Sequence, residues 1–177
     1  MKDIYTEKYL QKFSDYVMQQ ARSRLTKKNH NVSNELYNSI GYRIVKNAQG
    51  YRIDFFMEDY GKFINEGVKG TNSNYIINKN SPFSYKPSSN LIGLEYATGI
   101  FAKWAKFRGL QPRDKKGRFG SYKTMGFILA QSIKKKGIKA TMFFTEPFNK
   151  AVERLPDELL ESFILDIEQE LTILQKN

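Results

Sequence analysis

The chain predicts an α+β fold: a small antiparallel β-sheet packed against N- and C-terminal helices, with a long basic helical and loop insertion. Three observations carry this expectation. Two runs of period two, Tyr42–Ile44 and Tyr51–Met57, flank a turn at Asn47-Ala48-Gln49-Gly50. Apolar residues recur at helical spacing near both ends of the chain. Between them, Lys103 to Lys139 holds twelve basic side chains against one acid, Asp114, so this stretch alone equals the net +11 of the whole protein.

A length of 177 residues fits a single domain, 1–177, with the insertion at 71–137 inside its core. The first helix is expected from Tyr5 to Leu25, because Tyr9, Phe13, Tyr16, Val17, Ala21 and Leu25 share one face. The run from Lys27 to Asn31 breaks that pattern. Ser33 is expected to cap a short helix carrying Leu36 and Ile40, which Gly41 ends. The hairpin follows. Asp59 then opens a short helix that places Tyr60, Phe63 and Ile64 on one side, and Gly67 and Gly70 stop it.

Thr71 to Leu91 is rich in Asn, Ser and Pro, with Tyr75, Phe83 and Tyr85 among them, and reads as a long loop or β-excursion. Gly93 to Gly109 returns to a helical period through Leu94, Ala97, Phe101, Trp104 and Ala105. Gln111 to Gly120 is a basic, Gly-containing loop. Tyr122 to Lys136 is helical again, with Met125, Ile128, Leu129 and Ile133 on one face. Lys134, Lys135 and Lys136 suit the negative end of that helix, and Gly137 supplies its stop.

Ile138 to Phe144 has strand composition. Thr145 is placed to cap a helix begun at Glu146-Pro147, and Pro156 marks a second helix start. Leu159, Phe163, Ile167, Leu171 and Leu174 then form an apolar stripe, of which Leu159, Phe163 and Ile167 are expected to cover the hairpin face of Tyr51, Ile53 and Phe55. Phe63, Ile64, Phe148 and Phe163 are the expected core positions. The last helix is acidic, carrying Asp157, Glu158, Glu161, Asp166, Glu168 and Glu170 after Glu153 and Arg154.

Composition narrows the chemistry. There is no Cys, hence no disulfide framework and no thiolate metal site. His30 is the only histidine, in a Lys/Asn-rich turn with no identifiable catalytic partner. No apolar run approaches the roughly 20 residues of a membrane span. The N-terminus lacks the apolar core of a secretory signal, and the reading is a soluble protein of a reducing cytoplasm or a particle assembled there. Asp54, Glu58, Asp59 and Glu66 lie close in sequence and invite a reading as an Mg²⁺ nuclease site, but ordinary solvated charge explains them more simply. Asp114-Lys115-Lys116-Gly117-Arg118 lacks the spacing of a phosphate-binding loop. No cofactor, metal or catalytic residue is expected.

The basic segment has three readings. It can bind nucleic acid phosphates with help from Trp104, Phe107, Phe119 and Tyr122. It can be a solvated loop and helix end. It can dock on the acidic last helix of a neighbouring copy, a head-to-tail contact of the kind that closes into rings. Arg108, Arg113, Lys115, Lys116, Arg118 and Lys123 are the expected interface residues.

The order of segments also resembles a known family. Val32-Ser33-Asn34-Glu35-Leu36-Tyr37-Asn38-Ser39-Ile40 precedes the hairpin. Tyr60-Gly61-Lys62-Phe63-Ile64-Asn65-Glu66-Gly67 follows it, then a variable excursion, then Phe143-Phe144-Thr145-Glu146-Pro147-Phe148-Asn149-Lys150-Ala151 and a final helix. This is similar to the tail-completion and neck (head–tail connector) proteins of tailed bacteriophages, with their "TG-x-L-x-x-S-I", "Y-A-x-F-x-x-x-G-T" and "P-F-x-x-x-A" segments. Ser33-Asn34 stands where the family has "TG", and Lys69-Gly70 separates Gly67-Val68 from Thr71. The run from Trp104 through Pro112, Arg113 and Gly117 to Phe119 resembles such proteins from phages of Bacteroidota. The resemblance implies a structural virion protein, not an enzyme. It would form a ring of six or twelve copies between portal and tail, touch adjacent portal, neck or tail proteins, and continue the DNA channel with non-specific contact to the genome. No membrane is implied.

Overall fold

The computed structural model describes residues 3–27, 34–72, 80–86 and 94–175, and its architecture is α+β. His30, the expected cap Ser33 and Tyr75 lie outside the described residues. The chain divides into two compact units, 1–59 with 142–177, and 60–141. The insertion expected at 71–137 belongs to the second.

In the first unit, α1 (Ile4–Lys27) presents Leu10, Phe13, Val17, Ala21 and Leu25 as a buried stripe. Tyr16, expected on that stripe, is exposed. α2 (Glu35–Ser39) is short, and Arg22 holds its C-terminal end by donating from Nε to the Tyr37 carbonyl at 3.1 Å and from Nη2 to the Ile40 carbonyl at 2.9 Å. That contact satisfies carbonyls which a five-residue helix cannot pair internally.

β1 (Gly41–Asn47) and β2 (Gly50–Phe56) form the expected antiparallel hairpin, with Ile44 opposite Ile53 and Tyr42 opposite Phe55. Ile53 and Phe55 face a core of Phe13, Val17 and Ala151, joined by Tyr9, Phe144, Phe148 and Leu155. The Phe55 ring meets those of Phe144 and Phe148 edge-on at 5.4 and 5.9 Å, and Phe13 meets Phe148 at 6.3 Å. Edge-to-face pairs of this kind add to the burial of apolar area. Phe148 therefore belongs to the core, on α6 (Thr145–Val152). Phe144, not Thr145, occupies the N-cap position of α6.

The sheet is covered by α1 and α6, with only Leu155 from α7 (Leu155–Gln175) in that core cluster. This corrects the expectation for Phe163, which is 45% exposed, and for Ile167, which is exposed as well. The physical reason lies in which side of α7 meets α1. Leu155, Leu159, Ser162, Asp166 and Gln169 are its more buried positions, and Asp166 is 1% exposed. The helix is thus docked by a largely polar side.

In the second unit, α3 (Gly61–Glu66) leads into β3 (Val68–Lys69), which pairs antiparallel with β4 (Gly137–Ile138). Phe63 and Ile64 are half-buried, and Phe63 packs edge-on against Phe83 at 4.7 Å. Lys69 also bridges to Ser84, so part of the 71–91 excursion returns as a third strand-like segment. Thr71 and Asn72 donate their N–H groups to the carbonyls of Lys134 and Lys135. The two chain segments cross so closely that a Cβ on Gly70 would overlap the Lys135 carbonyl, and one on Gly137 would overlap that of Val68. Gly137 also sits at φ 88°, a conformation that side chains with a Cβ resist.

The strand expected from Ile138 to Phe144 shortens to Ile138. Thr141 turns back, donating its N–H and its hydroxyl to the Ile64 carbonyl. Met142 then takes φ 49°, which ends any extended run. The rest of the second unit is α4 (Leu94–Phe107) packed against α5 (Tyr122–Lys136).

Candidate interaction surfaces

The basic loop between α4 and α5 is a built hairpin. Arg113 and Phe119 form an antiparallel bridge. Asp114 accepts from the backbone N–H of Lys116 at 2.8 Å and of Arg118 at 2.9 Å, and from Arg118 Nε at 2.8 Å. The Asp114 N–H donates to the Arg118 carbonyl, and that of Gly117 to the Asp114 carbonyl, with Gly117 at φ 80°. These donors, led by the Arg118 N–H, hold the Asp114 carboxyl below its usual pKa. The single acid of the segment is therefore its organiser, in the manner of an Asx turn.

The hairpin groups four of the six expected interface residues. Arg113, Lys115, Lys116 and Arg118 are all exposed on it. The Arg113 guanidinium lies over the Phe119 ring, 4.4 Å from its centroid, and Phe119 is itself 64% exposed. Arg108 follows α4 and stacks on Trp104 at 5.7 Å. Lys123 is exposed in the first turn of α5, whose N-terminus is capped by the Ser121 hydroxyl accepting from the Thr124 N–H at 3.1 Å. A cation there opposes the helix dipole, so Lys123 gains nothing locally from its position.

The first unit offers a surface of opposite character. Leu160, Phe163, Ile164, Ile167 and Leu171 are exposed along one side of α7, although all are large and apolar. Their neighbours Asp157, Glu161 and Glu168 are exposed acids, and α7 carries no Lys or Arg. Where this side meets the hairpin, Leu10, Phe13, Tyr51, Ile53, Leu159 and Phe163 line an open groove of about 840 Å³. Phe163 was expected in the core and Ile167 over the sheet, and both lie on this exposed side instead. The 4-3-4 spacing of Leu160, Ile164, Ile167 and Leu171 was the signal that the apolar side of α7 extends beyond the expected stripe to Leu160 and Ile164.

α7 is fixed by two polar contacts to α1. Asp166 accepts from the N–H groups of Tyr5 and Thr6 at 2.9 Å each. Burial works to raise the Asp166 pKa, but these donors outweigh it and the net shift is downward. Tyr9 has its hydroxyl pKa pushed up to about 12 by burial and by its hydrogen bond to Glu158. Asp3 completes the arrangement at the other end, accepting from Lys46 Nζ at 2.6 Å and from the Tyr51 hydroxyl at 3.1 Å.

The carboxylates considered for metal chemistry are otherwise engaged or dispersed. Asp54 pairs with Arg43 at 3.2 Å and Arg52 at 3.1 Å. Among the described residues no group of three or more His, Asp or Glu side chains is placed to hold a metal ion. No described helix is long and apolar enough to cross a membrane. No protein family, curated protein or solved structure matches the chain.

Proposed function

We propose that this chain is a structural virion protein of a phage neck or tail, forming a ring between portal and tail that continues the DNA channel. The observation that carries the reading is its division of charge. Residues 60–141 hold sixteen basic and three acidic side chains, a net of +13, while the remainder of the chain is at −2. Its last helix is acidic and apolar without one basic residue. A chain with two complementary, non-identical surfaces associates head to tail, and such contacts close into rings when the rotation allows. The order of the sequence segments, similar to tail-completion and neck proteins, supports the same role. The role is mechanical and electrostatic, and it calls on no catalytic group. The basic hairpin, with Arg113, Lys115, Lys116 and Arg118, would face a neighbouring protein or the DNA.

A second reading is favoured by one feature, the exposed Arg113–Phe119 stack on that hairpin. Exposed aromatic and guanidinium planes are what single-stranded nucleic acids stack on. Light scattering at about 50 mM and about 500 mM salt, with and without short DNA, separates the two. Self-association that weakens at high salt supports the ring. A monomer at every salt that binds DNA with a steep salt slope replaces the ring with a nucleic-acid-binding protein.

A further inference from the structure

α7 has the surface pattern of half a helical pair. Leu160, Ile164, Ile167 and Leu171 are spaced four, three and four residues apart, the a/d spacing of a coiled-coil seam. Ile164 is 45% and Leu171 54% exposed, and the same seam holds Leu160 at 59% and Ile167 at 37%. The seam runs about 16 Å at 1.5 Å per residue. An apolar stripe of this length, on a helix already anchored through its polar side by Asp166, is arranged to receive another helix.

The flanking charges select which helix. Glu161 and Glu168 occupy the same e position in successive heptads, beside the seam. Two α7 helices brought together antiparallel would set these acids against each other. A basic helix with exposed apolar residues one heptad apart would meet them favourably, and α4 is such a helix. Ile100 is 56% and Phe107 64% exposed, seven residues apart, with exposed Lys103 and Lys106 between them.

We infer that the exposed seam of α7 receives α4 of a second copy of this chain, Ile100 and Phe107 entering between Leu160, Ile164, Ile167 and Leu171, and Lys103 and Lys106 meeting Glu161 and Glu168. The contact is heterologous, so each copy has one free seam and one free α4 until a ring closes. The inference rests on the proposed ring and names the surfaces that build it.

The test is sedimentation of the full chain at low salt, for the natural sequence and three variants, with circular dichroism to verify helix content. Ile164→Asp with Leu171→Asp changes only exposed side chains, and is expected to leave the fold intact and weaken association at least tenfold. Glu161→Lys with Glu168→Lys is expected to weaken it similarly, and adding Lys103→Glu with Lys106→Glu is expected to restore it. If the natural chain assembles but the aspartate variant assembles equally well, the seam is not the interface, although the ring stands. If the Glu→Lys variant assembles as tightly as the natural chain while the aspartate variant does not, the seam pairs without Lys103 and Lys106, as in an α7–α7 contact where like charges face each other before and after the change, and the assignment to α4 is overturned. If the natural chain stays monomeric at every concentration, the inference and the ring reading fail together.

Discussion

Asp166 caps the first helix by accepting the backbone N–H of Thr6 at 2.9 Å, across 160 residues of chain. A helix N-terminus is normally capped by the residue just before it. Here the cap comes from the last helix, so one carboxylate both satisfies α1 and fixes how α7 lies on it. Removing it should be felt in both elements. Asp166→Ala is expected to cost about 2 kcal/mol, from the lost cap and from N–H groups left buried without partners. Asp166→Asn, which keeps an acceptor, should recover part of that in urea denaturation. Equal loss in both variants would mean that the hydrogen bonds contribute little.

The same carboxylate sets a pH dependence. Its folded pKa lies below the unfolded value, so its contribution is fully present above about pH 4 and is lost as pH falls through the folded pKa. The denaturation midpoint of the natural chain should therefore drop below about pH 4 more steeply than that of Asp166→Asn. Parallel curves for the two proteins would remove Asp166 from the account of acid sensitivity.

Phe148 and Phe163 should respond very unequally to truncation. Phe148 packs against Phe13, Phe55 and Phe144, and Phe148→Ala is expected to cost about 3 kcal/mol. Phe163 is half in solvent, so Phe163→Ala should cost less than about 1 kcal/mol in the dissociated chain. A large loss at Phe163 measured on monomer would show that the groove closes over it in solution.

Asp114→Ala should loosen the basic hairpin without unfolding the chain. Its three acceptor contacts to Lys116 and Arg118 all lie within the loop. Trypsin should then cut after Lys115 or Lys116 several-fold faster, while the thermal midpoint moves little. Unchanged cleavage would mean that the bridge between Arg113 and Phe119 holds the loop alone.

Gly137→Ala combines a disfavoured φ with an overlap on the Val68 carbonyl, and is expected to destabilise the second unit by more than about 1 kcal/mol. Hydrogen exchange at Val68 and Ile138 should rise first. Unchanged protection there would show that the crossing relaxes at low cost.

Much of the fold was legible because it rests on local pattern. The hairpin has its period of two and its turn, and α5 has an apolar face, three terminal lysines and Gly137. Two of the misreadings share a cause, since each was decided by residues far along the chain. Ile138 to Phe144 has strand composition, but Thr141 is drawn back to the Ile64 carbonyl. The stripe through Phe163 reads as buried, but Asp166 turns the other side of α7 inward. Periodicity shows that a helix has an apolar side and is silent on which side is docked. Of the surface residues, Arg113, Lys115, Lys116 and Arg118 were legible by charge. That Asp114 would fold them into a hairpin was not, because the turn depends on backbone groups that composition does not reveal.

The crossing of Gly70 and Gly137 also bears on how such a chain can diversify. It brings residues 72 and 135 together at one point, whatever the chain does between them. Closing a longer loop at a fixed base costs only slowly more as residues are added. Residues 83–85 pack on Phe63 and pair with Lys69, so it is the part between Tyr85 and Lys134 that can be lengthened, trimmed or exchanged while the anchorage stays the same. The arm can change while the clasp that holds it is kept.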